Sequence, residues 1–315
     1  MRASIPYDPW RHRYALGLLA ATVVLLLAGG LVTSTGSGLA VPDWPLSFGQ
    51  VFPEMRGGVL FEHGHRLVAA TVGLMTVVLA FWFGRREPRP GVRRLAFLAL
   101  AAVVAQGLLG GLTVLLRLPA AVSVAHACLA QIVFAIVVAL AVTTSRPFFD
   151  EARAASPVPA GVGLLAGIAT AATYAQVVLG ALMRHTGAGL AIPDVPLAFG
   201  RIVPPILSFE IGVHFAHRVL ALVVAGLVAA LAIRCAPLRR HPAIALPARI
   251  ATTLVLLQIL LGGAAVLTRL AIVPATLHVV TGALLFGTLL ATTLFAWRRR
   301  APSAAADLRP SEVRA

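Results

Sequence analysis

Apolar residues run along this chain in long stretches, broken by short clusters rich in Arg, Pro, Gly and Asp. A helix needs roughly 20 such residues to cross about 30 Å of hydrocarbon. The pattern predicts eight helices of that kind, over about 14–34, 62–84, 95–116, 120–143, 160–183, 211–233, 249–268 and 274–297. No comparable length is left for a soluble domain, so the expected fold is all-α and integral to the membrane. The first stretch follows basic residues and ends in small ones, as a signal peptide does. Its counterpart in the repeat described below lies mid-chain, where no signal is cleaved, so it is read as a retained span.

Composition agrees. Of 315 residues, 59% are hydrophobic and 12% charged, against about 25% charged in soluble proteins. The formal net charge of +15 comes from 26 basic residues, all Arg. They gather between the apolar runs, which excludes a nucleic-acid surface and reports topology instead. Eight spans put both termini on one side. Arg2, Arg11 and Arg13, then Arg85, Arg86, Arg89, Arg93 and Arg94, then Arg146 and Arg153, then Arg234, Arg239 and Arg240, and finally Arg298, Arg299 and Arg300 all fall on that side. The positive-inside rule makes it the cytoplasm of a bacterial-type cell. Cys128 in an apolar run and Cys235 in a basic loop predict no disulfide.

The chain repeats itself. Residues 36–49, GSGLAVPDWPLSFG, return at 187–200 as GAGLAIPDVPLAFG, an offset of 151 that carries Gly36, Pro42, Asp43, Pro45 and Gly49 onto identical residues. After one inserted residue the register continues. His65-Arg66 matches His217-Arg218, Gln106 matches Gln258, Gly110-Gly111 matches Gly262-Gly263, and His126 matches His278. This predicts two tandem four-helix bundles, residues 1–150 and 151–315, the second ending in a short cytoplasmic tail. Four spans is an even number, so the halves are expected to be related by a pseudo-two-fold axis along the membrane normal. An inverted-repeat transporter needs an odd number per unit.

Coordinating side chains inside spans are costly and mark function. Of nine histidines, His12 and His241 read as loop residues, whereas His65, His126, His217 and His278 sit at repeated positions within spans, 61 residues apart in each half. Each lies about five residues, or roughly 7 Å, into a span of the same direction, which places all four near the outer surface. Two imidazoles facing each other, with no Cys or acidic cluster to complete a zinc tetrahedron, suit a six-coordinate haem iron better than Zn²⁺. Hydrogen-bonded core histidines are the plainer alternative, and duplication in register argues against it. Arg66 and Arg218 either pair with haem propionates or snorkel to the outer headgroups. For the paired glycines close helix packing is the plainer reading, ahead of room for a flat macrocycle. Gln106 and Gln258 are expected to bond a neighbouring helix.

The halves differ at one chemically important position. Glu62 precedes His65 by three residues and so shares its helix face, whereas the equivalent residue in the second half is His214. A partly desolvated carboxylate there can act as a general base or stabilise a developing cation; the alternative is a helix-start residue favoured by the macrodipole. The half without it is better suited to hold a cofactor. His214 is open between a supporting and a structural role. His63 points about 200° away from His65, a poor alternative ligand. The outer connections, about 35–61 and 184–210, are expected to form short interfacial helices capping each cavity, with Asp43 and Asp194 making turns or caps.

VTSTGSGLAVPDWPLSFG followed by EHGHRLVA, with lone histidines in spans four, six and eight, resembles the haem A synthases from about residue 20 to 297. The resemblance implies an eight-span membrane oxidoreductase that converts the C8 methyl of haem O to the formyl of haem A, by successive hydroxylations. Position by position it makes His65 and His126 ligands of the substrate haem, Glu62 the essential carboxylate, and His217 and His278 ligands of a resident haem b that passes electrons. It also implies haem O synthase and terminal-oxidase assembly factors as partners, in contact with membrane lipid and without nucleic acid; a homo-oligomer is left open. Many members carry a cysteine pair in the outer loops. Here those positions are Val41 and Ser47, and Ile192 and Ala198, which excludes loop thiols from electron flow. A di-haem b-type electron-transfer cytochrome would use the same four ligands without modifying anything, and a haem exporter would hold haem exchangeably.

Overall fold

The computed structural model describes residues 7–149 and 158–298. Arg2, Arg153, Arg299, Arg300 and the expected cytoplasmic tail lie outside the described residues. Eight long helices form, α1 (Pro9–Ser34), α2 (Gly58–Arg86), α3 (Pro90–Leu115), α4 (Ala120–Thr144), α6 (Ala160–His185), α7 (Phe209–Cys235), α8 (Pro242–Leu267) and α9 (Ile272–Arg298), with a four-residue α5 (Arg146–Phe149) after α4. All eight long helices have the length and apolarity of membrane spans, and the protein is an integral membrane protein.

Several helices begin earlier than hydropathy predicts, because a helix does not stop where hydrocarbon does. Asp8 caps α1 by accepting from the Trp10 and Arg11 backbone N–H groups, and Pro9 supplies a first turn with its φ already set. Pro90 and Pro242 open α3 and α8 in the same way. Arg11, Arg13, Arg93 and Arg94, expected in connections, are therefore helical. The outer connections depart further from expectation. They are irregular loops, whose helical content is one 3₁₀ turn at Ala188–Leu190. Asp43 accepts from the N–H groups of Phe48 and Gly49 at 2.7 and 2.8 Å, and Asp194 repeats this with Phe199 and Gly200 at 2.8 and 2.9 Å. Phe48, Gly49, Phe199 and Gly200 all adopt positive φ, which no helix accommodates. The Gly49 and Phe48 donors hold the exposed Asp43 carboxyl below its ordinary range, and Gly200 and Phe199 do the same for Asp194.

Helices α1 to α4 pack in a ring, each on the next and α4 back on α1, and α6 to α9 do likewise. The two rings meet where α4 packs on α9, α1 on α9 and α6 on α4. The central helices α4 and α9 are the most buried spans. They approach closely because Gly287 of α9 has no side chain; a methyl there would stand 2.8 Å from Phe134 Cε1 of α4. The first ring closes over Leu18, Val72, Leu79, Phe83, Val137 and Leu140. Outward-facing Leu74, Leu108, Leu222 and Leu260 are widely exposed, as lipid-facing residues are.

At the end remote from the outer loops, Glu87 is 3% exposed and joins two arginines. Its Oε2 is 2.7 Å from Arg11 Nη1 and its Oε1 2.6 Å from Arg89 Nε. Arg89 also donates to the Thr143 carbonyl at 2.7 Å, so the cluster ties α1, the α2–α3 turn and α4 together. Burial opposes ionisation of Glu87, but the Arg89 donors and the Arg89 and Arg11 charges outweigh it and hold the carboxyl below its ordinary range. This stabilisation is therefore complete above the ordinary glutamate pKa and is lost as pH falls through the depressed one. Glu87→Ala, which leaves Arg89 without a carboxylate and Arg11 with Asp8 alone, is expected to cost about 3 kcal/mol and to remove that part of the acid sensitivity, read from thermal unfolding in detergent across pH.

Candidate functional site

The four repeated histidines stand within the first three turns of α2, α4, α7 and α9. Each ring lies against a glycine of the preceding long helix. A methyl on Gly29 would come within 3.1 Å of His65 Cε1, on Gly110 within 2.9 Å of His126, on Gly180 within 3.1 Å of His217, and on Gly262 within 3.0 Å of His278. Gly110 and Gly262 thus make room for imidazole. Gly29 and Gly180 do the same and are also repeat mates, although the sequence reading passed over them; their signal was the same 151-residue offset. Three glutamines fix the histidine backbones. Gln106, Gln176 and Gln258 donate to the carbonyls of His126, His217 and His278 at 3.1, 2.9 and 2.7 Å. Gln176 escaped notice because its repeat mate is Leu25.

In all four rings Nδ1 is buried and has no hydrogen-bond partner. One such orphan costs about 1–3 kcal/mol, and four at equivalent positions point to a ligand. The His217 and His278 ring centroids are 6.3 Å apart. Two imidazoles, each bound through one nitrogen at about 2 Å to a single metal ion, place their rings about 6 Å apart. His65 and His126 occupy the equivalent positions in the first half, each against its own glycine. Among the described residues no group of three or more His, Cys, Asp or Glu gathers to hold a bare ion. A pair of opposed imidazoles fits an iron whose other four ligands come from a macrocycle.

Glu62 is buried above the first couple. Its Oε2 accepts from the Val41 N–H at 2.8 Å, and its Oε1 is 2.7 Å from Arg66 Nη2. Arg66 also donates to the carbonyls of Asp43 and Leu46 at 2.8 Å and of Val41 at 3.3 Å. Arg218 does the equivalent work, donating to Leu197, Asp194 and Ile192 at 2.8, 2.8 and 3.1 Å. Both guanidinium groups thus fasten the outer loops to α2 and α7. His214 takes the place of Glu62, its Nδ1 lying 3.3 Å from the nitrogen of Ile192, the repeat mate of Val41, and 3.1 Å from the Ala188 carbonyl oxygen, so that the ring's tautomer decides which of the two it bonds. Each half therefore hangs the same loop on a different post. A carboxylate neutralises Arg66, whereas an imidazole leaves the charge of Arg218 unpaired by any carboxylate.

His63, turned away from His65 as expected, places its Nδ1 2.7 Å from Ser47 Oγ, which also lies 3.3 Å from Arg66 Nη1. The second half has Phe215 and Ala198 at these positions, so this polar cluster belongs to the first half alone. Trp44 lies over Gly111, where a methyl would meet Cδ2 at 2.5 Å, while Val195 stands 3.6 Å from a methyl on Gly263. The sequence reading also missed Arg184 and His185 at the end of α6, whose repeat mates Thr33 and Ser34 carry neither charge nor ring.

The family model COX15-CtaA, described as cytochrome oxidase assembly protein, matches residues 54–290. A protein of Geobacillus kaustophilus named Heme A synthase is 34% identical over 302 residues, covering 93% of this chain and 94% of its own length. Its namesakes in Shouchella clausii and Halalkalibacterium halodurans are 34% and 32% identical, covering 80% and 89% of this chain and 86% and 94% of their own lengths.

The contrast between Gly111 and Gly263 is testable. Gly111→Ala, which drives Trp44 from its seat, is expected to cost about 1–3 kcal/mol and to shift tryptophan fluorescence. Gly263→Ala, meeting only ordinary contact, is expected to change stability by less than about 0.5 kcal/mol. Thermal unfolding and emission spectra of the two variants check both.

Proposed function

This chain belongs to the COX15-CtaA family of cytochrome oxidase assembly proteins, and we propose that it is a haem A synthase, oxidising the C8 methyl of haem O to the formyl of haem A for terminal-oxidase assembly. The observation that carries this reading is the pair of imidazole couples at repeated positions, each ring with a buried, unpartnered Nδ1, of which only one couple has a buried carboxylate beside it.

In this reading residues 1–150 hold the substrate, with His65 and His126 gripping the iron of haem O, and residues 151–315 hold haem b between His217 and His278. Haem b, when bound, supplies a route for electrons away from the substrate. Glu62 is the catalytic carboxylate. Arg66 and the Val41 N–H hold it aimed, so that it stabilises positive charge developing at the macrocycle edge and accepts a proton once one of these donors withdraws. Val41 and Arg66 both belong to the loop attachment, so proton acceptance is coupled to loop position. Arg66 and Arg218 set positive charge beside the sites and would attract haem carboxylates; Arg218, which forms no ion pair like that of Arg66 with Glu62, is the freer to do so. The arginine-rich ends and both termini face the cytoplasm. A haem O synthase must supply the substrate, and oxidase assembly consumes the product.

Expression beside a haem O synthase in a host without haem A, followed by mass analysis of extracted haems, is expected to show haem A; unmodified haem O alone would overturn the reading in favour of an electron-transfer cytochrome. Glu62→Ala is expected to lower formyl-haem yield by about 10²-fold or more with haem spectra kept. His217→Ala and His278→Ala are each expected to deplete low-spin haem b, and a wild-type spectrum in both would show the cofactor half to be misassigned.

A further inference from the structure

One basic side chain near the second couple has no place in the account so far. Arg184 follows Gly180 by four residues on α6, so the two share a face, with Arg184 about 6 Å nearer the outer end. Gly180 is the glycine that seats the His217 ring. Arg184 therefore stands one helical turn above that ring.

Its guanidinium is half-buried and turned inward across the junction of the two rings of helices. Nη2 donates to Ser34 Oγ of α1 at 3.0 Å, and the same Oγ accepts from Thr276 Oγ1 of α9 at 2.9 Å. Thr276 is 2% exposed and lies two residues before His278. Arg184 also interacts electrostatically with His278. The cation thus starts from the α6 turn above the Gly180 seat of His217 and, through Ser34 and Thr276, reaches the start of α9, the helix that carries His278.

Arg11, Arg66 and Arg89 each meet a carboxylate. Arg184 meets one hydroxyl, and among the described residues no acidic side chain forms an ion pair with it. A guanidinium has five N–H donors, and a charge held among apolar helices is costly without an anion. A helix-end cation favoured by the macrodipole would lie along the last carbonyls of its own helix, and a snorkelling one would extend toward headgroups. Arg184 instead crosses to α1.

We propose that Arg184 is the anchor for a carboxylate of the macrocycle held between His217 and His278, binding it through its free N–H donors from the outer edge while Ser34 orients the guanidinium. The inference rests on the haem-binding reading above. The first half has Thr33 at the equivalent position, so a macrocycle between His65 and His126 lacks this tether. A tethered resident group and an untethered, exchangeable substrate are what the two halves then provide.

The test uses the full chain, depleted of haem, in a His65→Ala background so that uptake reports the second couple. Haemin and haemin dimethyl ester, whose carboxylates are masked, are titrated in by Soret absorbance. The parent is expected to bind haemin about tenfold or more tightly than the ester, because a charge-assisted hydrogen bond is worth about 1.5–3 kcal/mol. Arg184→Gln is expected to cut that preference about threefold or more by weakening haemin alone, the remainder being due to Arg218, with ester affinity unchanged as proof of an intact pocket. Arg184→Lys, keeping charge without the fork, is expected to retain part of it. A full preference in Arg184→Gln, or equal loss for both ligands, would overturn the proposal. Failure of the parent to bind either ligand would overturn the haem reading itself.

Discussion

A ring nitrogen buried in a membrane bundle has no water to turn to, and this constraint organises the site. Four imidazoles are held with Nδ1 unpartnered, at positions fixed by glycine on one side and, for three of them, by glutamine on the histidine's own carbonyl. The glycine brings the neighbouring helix against the ring, and the glutamine fixes the height from which the ring projects. Neither device makes sense for a core histidine, which would be expected to satisfy its own nitrogens. Both make sense for a side chain kept ready to donate a lone pair.

Duplication supplies the frame and divergence supplies the chemistry. The outer loops reproduce the same Asp turn and the same Arg fastening, yet the group that faces the N–H of Val41 or Ile192 has changed from carboxylate to imidazole. Ser47 and His63 add further polarity on the Glu62 side, where Ala198 and Phe215 leave the other side apolar. On the Glu62 side the buried acid is accompanied by the arginine that makes its burial tolerable, whereas the second half buries no carboxylate at that position.

The spans, the repeat and the placement of the four histidines in early helical turns were legible in the sequence because hydrocarbon thickness and repeat register are one-dimensional constraints. What escaped was decided by cross-helix contact. Gly29 and Gly180 look like any small residue in a span until a ring is found against them. Gln176 and Arg184 have no repeat mates of like chemistry, so a search by duplication passes over them. The outer loops were expected to be helical from their mixed composition, but Asp43 and Asp194 draw their backbones into turns that no hydrophobic pattern encodes.

The seat of Phe134 on Gly287 also fixes a distance elsewhere in the molecule. Helices α4 and α9, which meet there, also carry His126 and His278, one from each couple. The spacing between the two couples is therefore set in the interior, where α4 crosses α9, and is independent of the outer loops.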